Sequence, residues 1–447
     1  MSINTNPLPR ITTSDPAVDI IVDRARKNWE ALKRRRVGIY PGAFPYIPVE
    51  ERLFSNALED GEWKGQRCFV IGGGPSLKDF DFSKLKGELI IGVNRAYEKI
   101  DCTIMFSMDN RYYQWITRGE LKGKAREKFI DFKGYKVWLS ASRHEYPKDV
   151  YQLGWVGGEG FSWSLKNGLG GGSNSGFGAL NLAVCLGANP IYLLGYDMRG
   201  QNGKQAWWHE GYPQRQPNEV YAKFIERFSK IAPELKQRGI KVINLNTNSS
   251  LKCFEFGSLD SIKQIVRPIV ISYYTKSTGY EKEVQGLIDS LRRFNLERDI
   301  QAIDDKGGWQ KNTHYKPRFI KAMLEKHKRP VLFLDSDAII HRYPFLFNDL
   351  DADMACHFKQ GSELLTGTIY FAYSDKAMEL IDSWIRINNK NPLIWGQRNL
   401  QEAVKNWNGK IEKLPPAYCK IFDKMNVEKP VIEHYQASRL LRHEVGN

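Results

Sequence analysis

Two carboxylates, Asp335 and Asp337, stand two residues apart at the end of the apolar run Val331-Leu332-Phe333-Leu334. A strand that breaks into a turn there can aim both acids at one point. Hard oxygen ligands so placed suit Mg²⁺ or Mn²⁺, ions that keep waters and share substrate phosphates. Such an ion neutralises charge on a departing diphosphate. A second place for chemistry is Gly72-Gly73-Gly74-Pro75-Ser76, a glycine turn directly after the apolar run ending at Ile71. Its backbone N–H groups can cradle a phosphate or a ribose. Gly171-Gly172-Ser173-Asn174-Ser175-Gly176 then introduces a helical stretch whose first amides attract an anion. The run Ile191–Leu194 leads to another strand-end carboxylate, Asp197. His209 lies in segment 200–211, polar and glycine-rich, then aromatic, which reads as a lid. An imidazole titrating near neutrality is an acid–base candidate there.

The elements that must hold these residues are legible as short apolar runs bounded by glycines. Cys68–Ile71, Leu89–Val93, Thr103–Phe106, Lys136–Leu139, Ile191–Leu194 and Lys241–Leu245 read as buried parallel strands. Helical stretches at 178–186 and 219–238 lie between them, the alternation of a doubly wound sheet. A second unit starts after Pro268 with the strand Ile269–Tyr273, a helix over 280–294 and the strand before Asp335. The expected fold class is α/β, two tandem Rossmann-like nucleotide-binding domains with mainly parallel sheets. The expected division is an arm over 1–60 with one helix (17–36), a domain over 61–262 and a domain over 263–447. Ligands of such sheets collect at the carboxyl ends of the strands, where the acid pair and the glycine loop both lie.

Composition narrows the class. The chain has 447 residues, 42% hydrophobic and 26% charged, which excludes a disordered, collagenous or disulfide-stapled protein. No apolar run approaches the roughly 18 residues of a membrane span, and no secretory signal is visible at the N-terminus. Six scattered cysteines without a CxxC pair fit reduced thiols, hence a cytoplasmic protein (host cytoplasm if the chain is viral). Lys+Arg minus Asp+Glu is 66 − 51 = +15. That excess suits nucleic acid, nucleotide phosphates or an anionic membrane surface. Lys33-Arg34-Arg35-Arg36 adds a cationic cluster at the end of the arm's helix. The oligomeric state is left open.

From Pro268 to about His443 the chain resembles glycosyltransferases of the A-type fold, whose DxD acids hold a metal on a nucleotide-diphosphate sugar. The resemblance implies Mn²⁺ or Mg²⁺ on Asp335 and Asp337, with His434 of Val431–Gln436 as third ligand. It implies nucleoside contacts from Tyr273, Tyr274 and Thr275, and phosphate or ribose contacts from Lys316 and Arg318. It places Gly367 and Thr368, within Leu365–Phe371, against the donor sugar, and Gln397 nearby. Related chains often carry an acid before that glutamine; here Gly396 precedes Gln397, so a general base falls to Glu402 or Asp375. Retention or inversion is thereby unassigned.

Residues 65–259 resemble the nucleotide site of bacterial CMP-sialic-acid transferases and their relatives, flagellin-modifying proteins and a pterin pyrophosphokinase. The glycine loop, Gly92-Val93-Asn94-Arg95, the 171–176 segment and the strand ending at Asp197 carry it. Nucleotide contacts are then expected from Gly72, Gly73, Gly74, Ser76, Asn94, Asn174, Ser175 and Gly176, with Asp197 and His209 as catalytic candidates. Gly73 stands where those enzymes have asparagine, and Arg199 where they have tyrosine. The expected function is a metal-dependent glycosyltransferase using a nucleotide-sugar donor. One acceptor is a modified base in DNA, as phage-type transferases use; the others are a glycan or a lipid-linked molecule. The front half is alternatively pyrophosphokinase-like or a docking platform without catalysis.

Overall fold

The computed structural model describes residues 52–139 and 146–441. The arm's expected helix and the Lys33–Arg36 cluster lie outside them.

The first sheet has eight strands: β1 (Cys68–Ile71), β2 (Leu89–Val93), β3 (Ile104–Ser107), β4 (Tyr135–Leu139), β5 (Val150–Leu153), β6 (Ile191–Leu194), β7 (Val242–Asn244) and β8 (Glu255–Phe256). Their order is β5-β4-β3-β2-β1-β6-β7-β8, and every pairing is parallel. Residues of β1 to β4 and β6 are buried throughout, which is why their sequences are continuous apolar runs. The chain runs outward from β1 to β5, then returns through the helix Ser175–Cys185 to place β6 on the other side of β1. A crevice therefore opens at the carboxyl ends of β1 and β6. Ile71 is in register with Leu194, so the loops after both strands emerge side by side.

The second sheet comprises β9 (Ile269–Thr275), β10 (Arg298–Ile303), β11 (Val331–Leu334), β13 (Met354–Lys359), β14 (Glu363–Phe371) and β15 (Ile411–Lys413), in the order β10-β9-β11-β14-β13-β15. Parallel pairing of β9 with β10 and β11 gives way to antiparallel pairing at β14. The same reversal of strand order puts a second crevice at the ends of β9 and β11. A small sheet, β12 (Ala338–Ile340), β17 (Ile432–His434) and β16 (Lys420–Ile421), closes its far side.

The two large sheets share one core. Val270, Leu287, Leu291 and Phe294 pack in the same cluster as Phe54, Cys68 and Val70. Glu88, 4% exposed, is held by Arg67 at 2.5 Å and by Arg267 at 2.9 Å. Buried charge is stable there because it is paired from both sides. Asn295 accepts from Gly87 N–H (2.8 Å) and donates to the Leu85 carbonyl (2.6 Å), while the Tyr343 hydroxyl donates to the Gly87 carbonyl.

Candidate functional site

At the end of β11 the Asp335 N–H bonds the Gly367 carbonyl (2.9 Å), and Ala338 N–H bonds back to the Asp335 carbonyl (3.0 Å). That turn projects both acids and starts β12. β12 pairs antiparallel with β17, Ala338 facing His434, so the register itself delivers the histidine to the acids. One ligand atom from each of Asp335, Asp337 and His434 lies within 4.8 Å of the others. His434 is buried, and its Nε2 is 2.8 Å from the Thr368 hydroxyl. Its Nδ1 is 3.8 Å from Asp337 Oδ1, beyond hydrogen-bond length, and has no hydrogen-bond partner among the described residues. Gly367 leaves the ring its room, since a Cβ there would crowd the His434 ring at 3.0 Å.

Burial opposes charge on both members of this pair. Against it, Asp337 and Cys419 raise the His434 pKa to about 10. His434 and the Ala437 N–H (2.8 Å) in turn hold the Asp337 carboxyl below its ordinary range. Two carboxylates facing a buried, orphaned imidazole nitrogen form a donor set that fits a divalent cation. Lys316 is buried beside them, donating to Asp335 Oδ1 (2.8 Å) and to the Thr366 carbonyl (3.0 Å).

Asp335 and Asp337 border a cavity of about 410 Å³, whose walls include Tyr273, Tyr274, Thr275, Lys316, Thr366 and Gln397. The Tyr273 hydroxyl donates to the Asn312 carbonyl (2.8 Å), and burial raises its pKa, keeping it neutral. Trp309, Asn312, Trp395, Lys424 and Arg439 also line the cavity and were not anticipated. Trp395 adjoins the flagged Gln397 segment; the others come from stretches without a motif.

Several expected contacts are corrected here. Arg318 donates to Asn389 (2.7 Å) and does not line the cavity. Two residues along a helix rotate by about 200°, so Lys316 and Arg318 cannot face one ligand. Glu402 is exposed and paired with Lys405 (2.6 Å), and Asp375 is exposed; neither lines the cavity. Five residues from Gln397 rotate Glu402 by about 140° onto the solvent face. Gly367 and Thr368 do not line the cavity either; they sit against His434.

The first crevice holds a cavity of about 470 Å³ lined by Gly72, Gly73, Gly74, Asn94, Asn174, Ser175, Gly176 and Asp197. Gly74 N–H bonds the Gly195 carbonyl (2.8 Å), and a Cβ on Gly74 would lie 1.9 Å from Asp197 Oδ2. Asn174 caps the helix Ser175–Cys185 by accepting from Phe177 N–H (2.8 Å). Asp197 is buried with both oxygens engaged by Ser76, from its N–H (3.1 Å) and its hydroxyl (2.7 Å). Asp197 thus anchors the glycine loop, and Ser76 stands behind it instead of lining the cavity. The segment around 207–212 is pinned to this loop: Trp208 donates to the Gly73 carbonyl (3.2 Å) and, through its indole, to the Gly72 carbonyl (3.1 Å). His209 lies outside the cavity lining, its ring parallel to Trp207, with Nδ1 accepting from Gly211 N–H (3.0 Å). Burial lowers its pKa to about 3, so it is a neutral packing group near pH 7 and not the acid–base group its sequence suggests. Arg199 is exposed and absent from the lining. Arg111, Trp115, Tyr212 and Arg215 complete the walls; Arg111 and Trp115 follow β3, and the strand-end rule could have found them.

No protein-family model matches the chain, and no curated protein matches it. Among solved structures it matches a glycosyltransferase involved in the glycosylation of the major capsid of PBCV-1, at 16% identity and a TM-score of 0.31. The match covers 38% of this chain and 93% of that one.

Proposed function

We propose that the second crevice transfers a sugar from a nucleotide-sugar donor, with a divalent cation, Mn²⁺ or Mg²⁺, held by Asp335, Asp337 and His434. The observation that carries this reading is the convergence of those three side chains, the two acids at the wall of a strand-end cavity and behind them a buried imidazole nitrogen without a hydrogen-bond partner among the described residues. When bound, the ion supplies charge neutralisation for the leaving diphosphate. The chain's own residues do the rest. Tyr273, Tyr274 and Thr275 form the wall for the nucleoside. Lys316, pre-oriented by Asp335 and the Thr366 carbonyl, offers its remaining N–H to a phosphate oxygen. Gln397, whose amide is held by Thr366 (3.5 Å) and Glu363 (3.3 Å), offers its remaining amide N–H to sugar hydroxyls. Enzymes gain most from such prepositioned charge and donors.

In this reading the chain divides into a 61–262 unit and a 263–447 unit, and the first cavity binds a second nucleotide or similar anion without catalysing its turnover. The commitment of Asp197 to Ser76 favours binding over a pyrophosphokinase there. The test is release of nucleotide from UDP-, GDP- and CMP-sugars by the purified chain, with and without Mn²⁺. Metal-dependent release that is lost in Asp337→Asn and kept in Asp197→Asn is expected. Absence of metal-dependent turnover for every donor overturns the reading.

A further inference from the structure

Soluble surfaces rarely expose consecutive large apolar residues without a use for them. The loop between the helices Asp375–Lys390 and Gly396–Lys405 does so beside the proposed transfer cavity. Leu393, Ile394 and Trp395 are 87%, 43% and 57% exposed, and Trp395 reaches the cavity wall.

The loop is built, not slack. Polar side chains, most of them buried, are spent on its backbone. His314 Nε2 meets the Ile394 carbonyl (2.8 Å), Gln310 donates to the Pro392 carbonyl (2.8 Å), and buried Asn399 donates to the Asn391 and Ile394 carbonyls (3.4 and 3.3 Å). Asn388, also buried, orients Asn399 (2.9 Å). With the polar groups inside and the apolar ones outside, the backbone is held while the side chains are presented. Phe422 and Tyr435 stack at 5.9 Å and are both exposed, in the stretches that supply Lys424, Gln436 and Arg439 to the same cavity. Exposed Arg398 lies 6.0 Å over the Trp395 ring, and exposed Lys390 and Lys424 belong to the same two stretches, in a chain of net charge +15.

We propose that this apolar, cation-dotted rim docks on an anionic lipid bilayer, so that the cavity receives an acceptor anchored in that membrane. The proposal rests on the transfer reading above for the cavity's role, but not for the docking itself. Aliphatic groups with tryptophan at headgroup depth and cations beside them are what an interfacial anchor needs. A nucleic-acid backbone would call for the cations but not for Leu393 and Ile394.

The test is co-sedimentation of the full chain with phosphatidylcholine vesicles, with and without phosphatidylglycerol, in the absence of nucleotide sugar and Mn²⁺. Binding to the anionic vesicles is expected, weakened by salt. It should fall by about tenfold or more in the double variant Leu393→Ser, Ile394→Ser. Both side chains are exposed, so the unfolding midpoint should stay unchanged, and a misfolded variant would be seen. Lys424→Ala should reduce only the preference for anionic vesicles. The proposal is overturned if the wild type ignores both vesicles. It is also overturned if the double variant binds as well as wild type, or if duplex DNA is retained where vesicles are not. Donor turnover is scored separately, so loss of the transfer reading and loss of the membrane reading give different results.

Discussion

Thr368→Val is the perturbation that bears most directly on the cation site. Thr368 is wholly buried and its hydroxyl lies 2.8 Å from His434 Nε2. For Nδ1 to face the acids with a lone pair, Nε2 must carry the proton and donate to that hydroxyl. Valine keeps the shape and removes the acceptor, so the ring loses what sets its tautomer and orientation. In the ion-free protein the loss should be about 1–3 kcal/mol, the cost of leaving the buried Nε2–H without an acceptor. The effect on the ion should be of similar size. Removing such an outer partner weakens metal affinity about 10–100-fold, equivalent to roughly 1.4–2.7 kcal/mol. Ligand-induced stabilisation falls by the same amount while Mn²⁺ stays above both dissociation constants. At roughly 2–4 °C per kcal/mol for a unit of about 150–250 residues, the Mn²⁺-induced rise in Tm should shrink by several degrees. The assay is a thermal-unfolding series over Mn²⁺ concentration for both proteins. If wild type responds to Mn²⁺ and Thr368→Val responds equally, His434 is not a ligand and the three-residue site is wrong.

Gly74→Ala should abolish ligand stabilisation at the first cavity, because the added methyl carbon would overlap Asp197 Oδ2 at 1.9 Å and the Gly195 carbonyl at 2.5 Å; a nucleotide thermal-shift panel reads this. The folded-state pKa of His209, about 3, lies below the ordinary imidazole value. Between the two, the unfolded chain binds a proton that the folded one refuses, so stability falls as pH drops from about 6.5, by up to ~1.4 kcal/mol per pH unit. Urea unfolding at pH 7 and pH 5 should show that loss in wild type and a smaller one in His209→Gln. Glu88→Ala should cost about 1.5–3 kcal/mol, since half-buried Arg67 and Arg267 would both lose their shared carboxylate; chemical denaturation measures it. Glu402→Ala, by contrast, should leave nucleotide release from donor sugars unchanged, because Glu402 is exposed, pairs with Lys405 and does not line the cavity.

What was legible in the chain has a common cause. Strands buried on both faces must be continuous apolar runs, so Cys68–Ile71, Leu89–Val93, Ile191–Leu194 and Val331–Leu334 stood out. The residues immediately after them inherit the strand's end and hence the crevice. That made the glycine loop and the Asp335/Asp337 pair readable from local sequence alone. What local sequence could not supply was the direction of side chains on helices and loops. Arg318 and Glu402 had the right chemistry and the wrong helical phase, which packing of the opposite face decides.

The amino-acid order by itself marked the central strands buried on both faces, which turns carry acids or glycines, and how charged the chain is, because each follows from neighbours a few residues apart. The edge and antiparallel strands, such as Val150–Leu153 and Met354–Lys359, it did not mark. Only the tertiary structure decided how these are used. Ser76 meets Asp197 across 121 positions, Lys316 meets Thr366 across 50, and His434 meets Thr368 across 66. Those encounters turned one aspartate into a loop anchor, one histidine into a buried packing group and another into a nitrogen aimed at two acids. Their cause is strand order and register, which no short window of residues encodes.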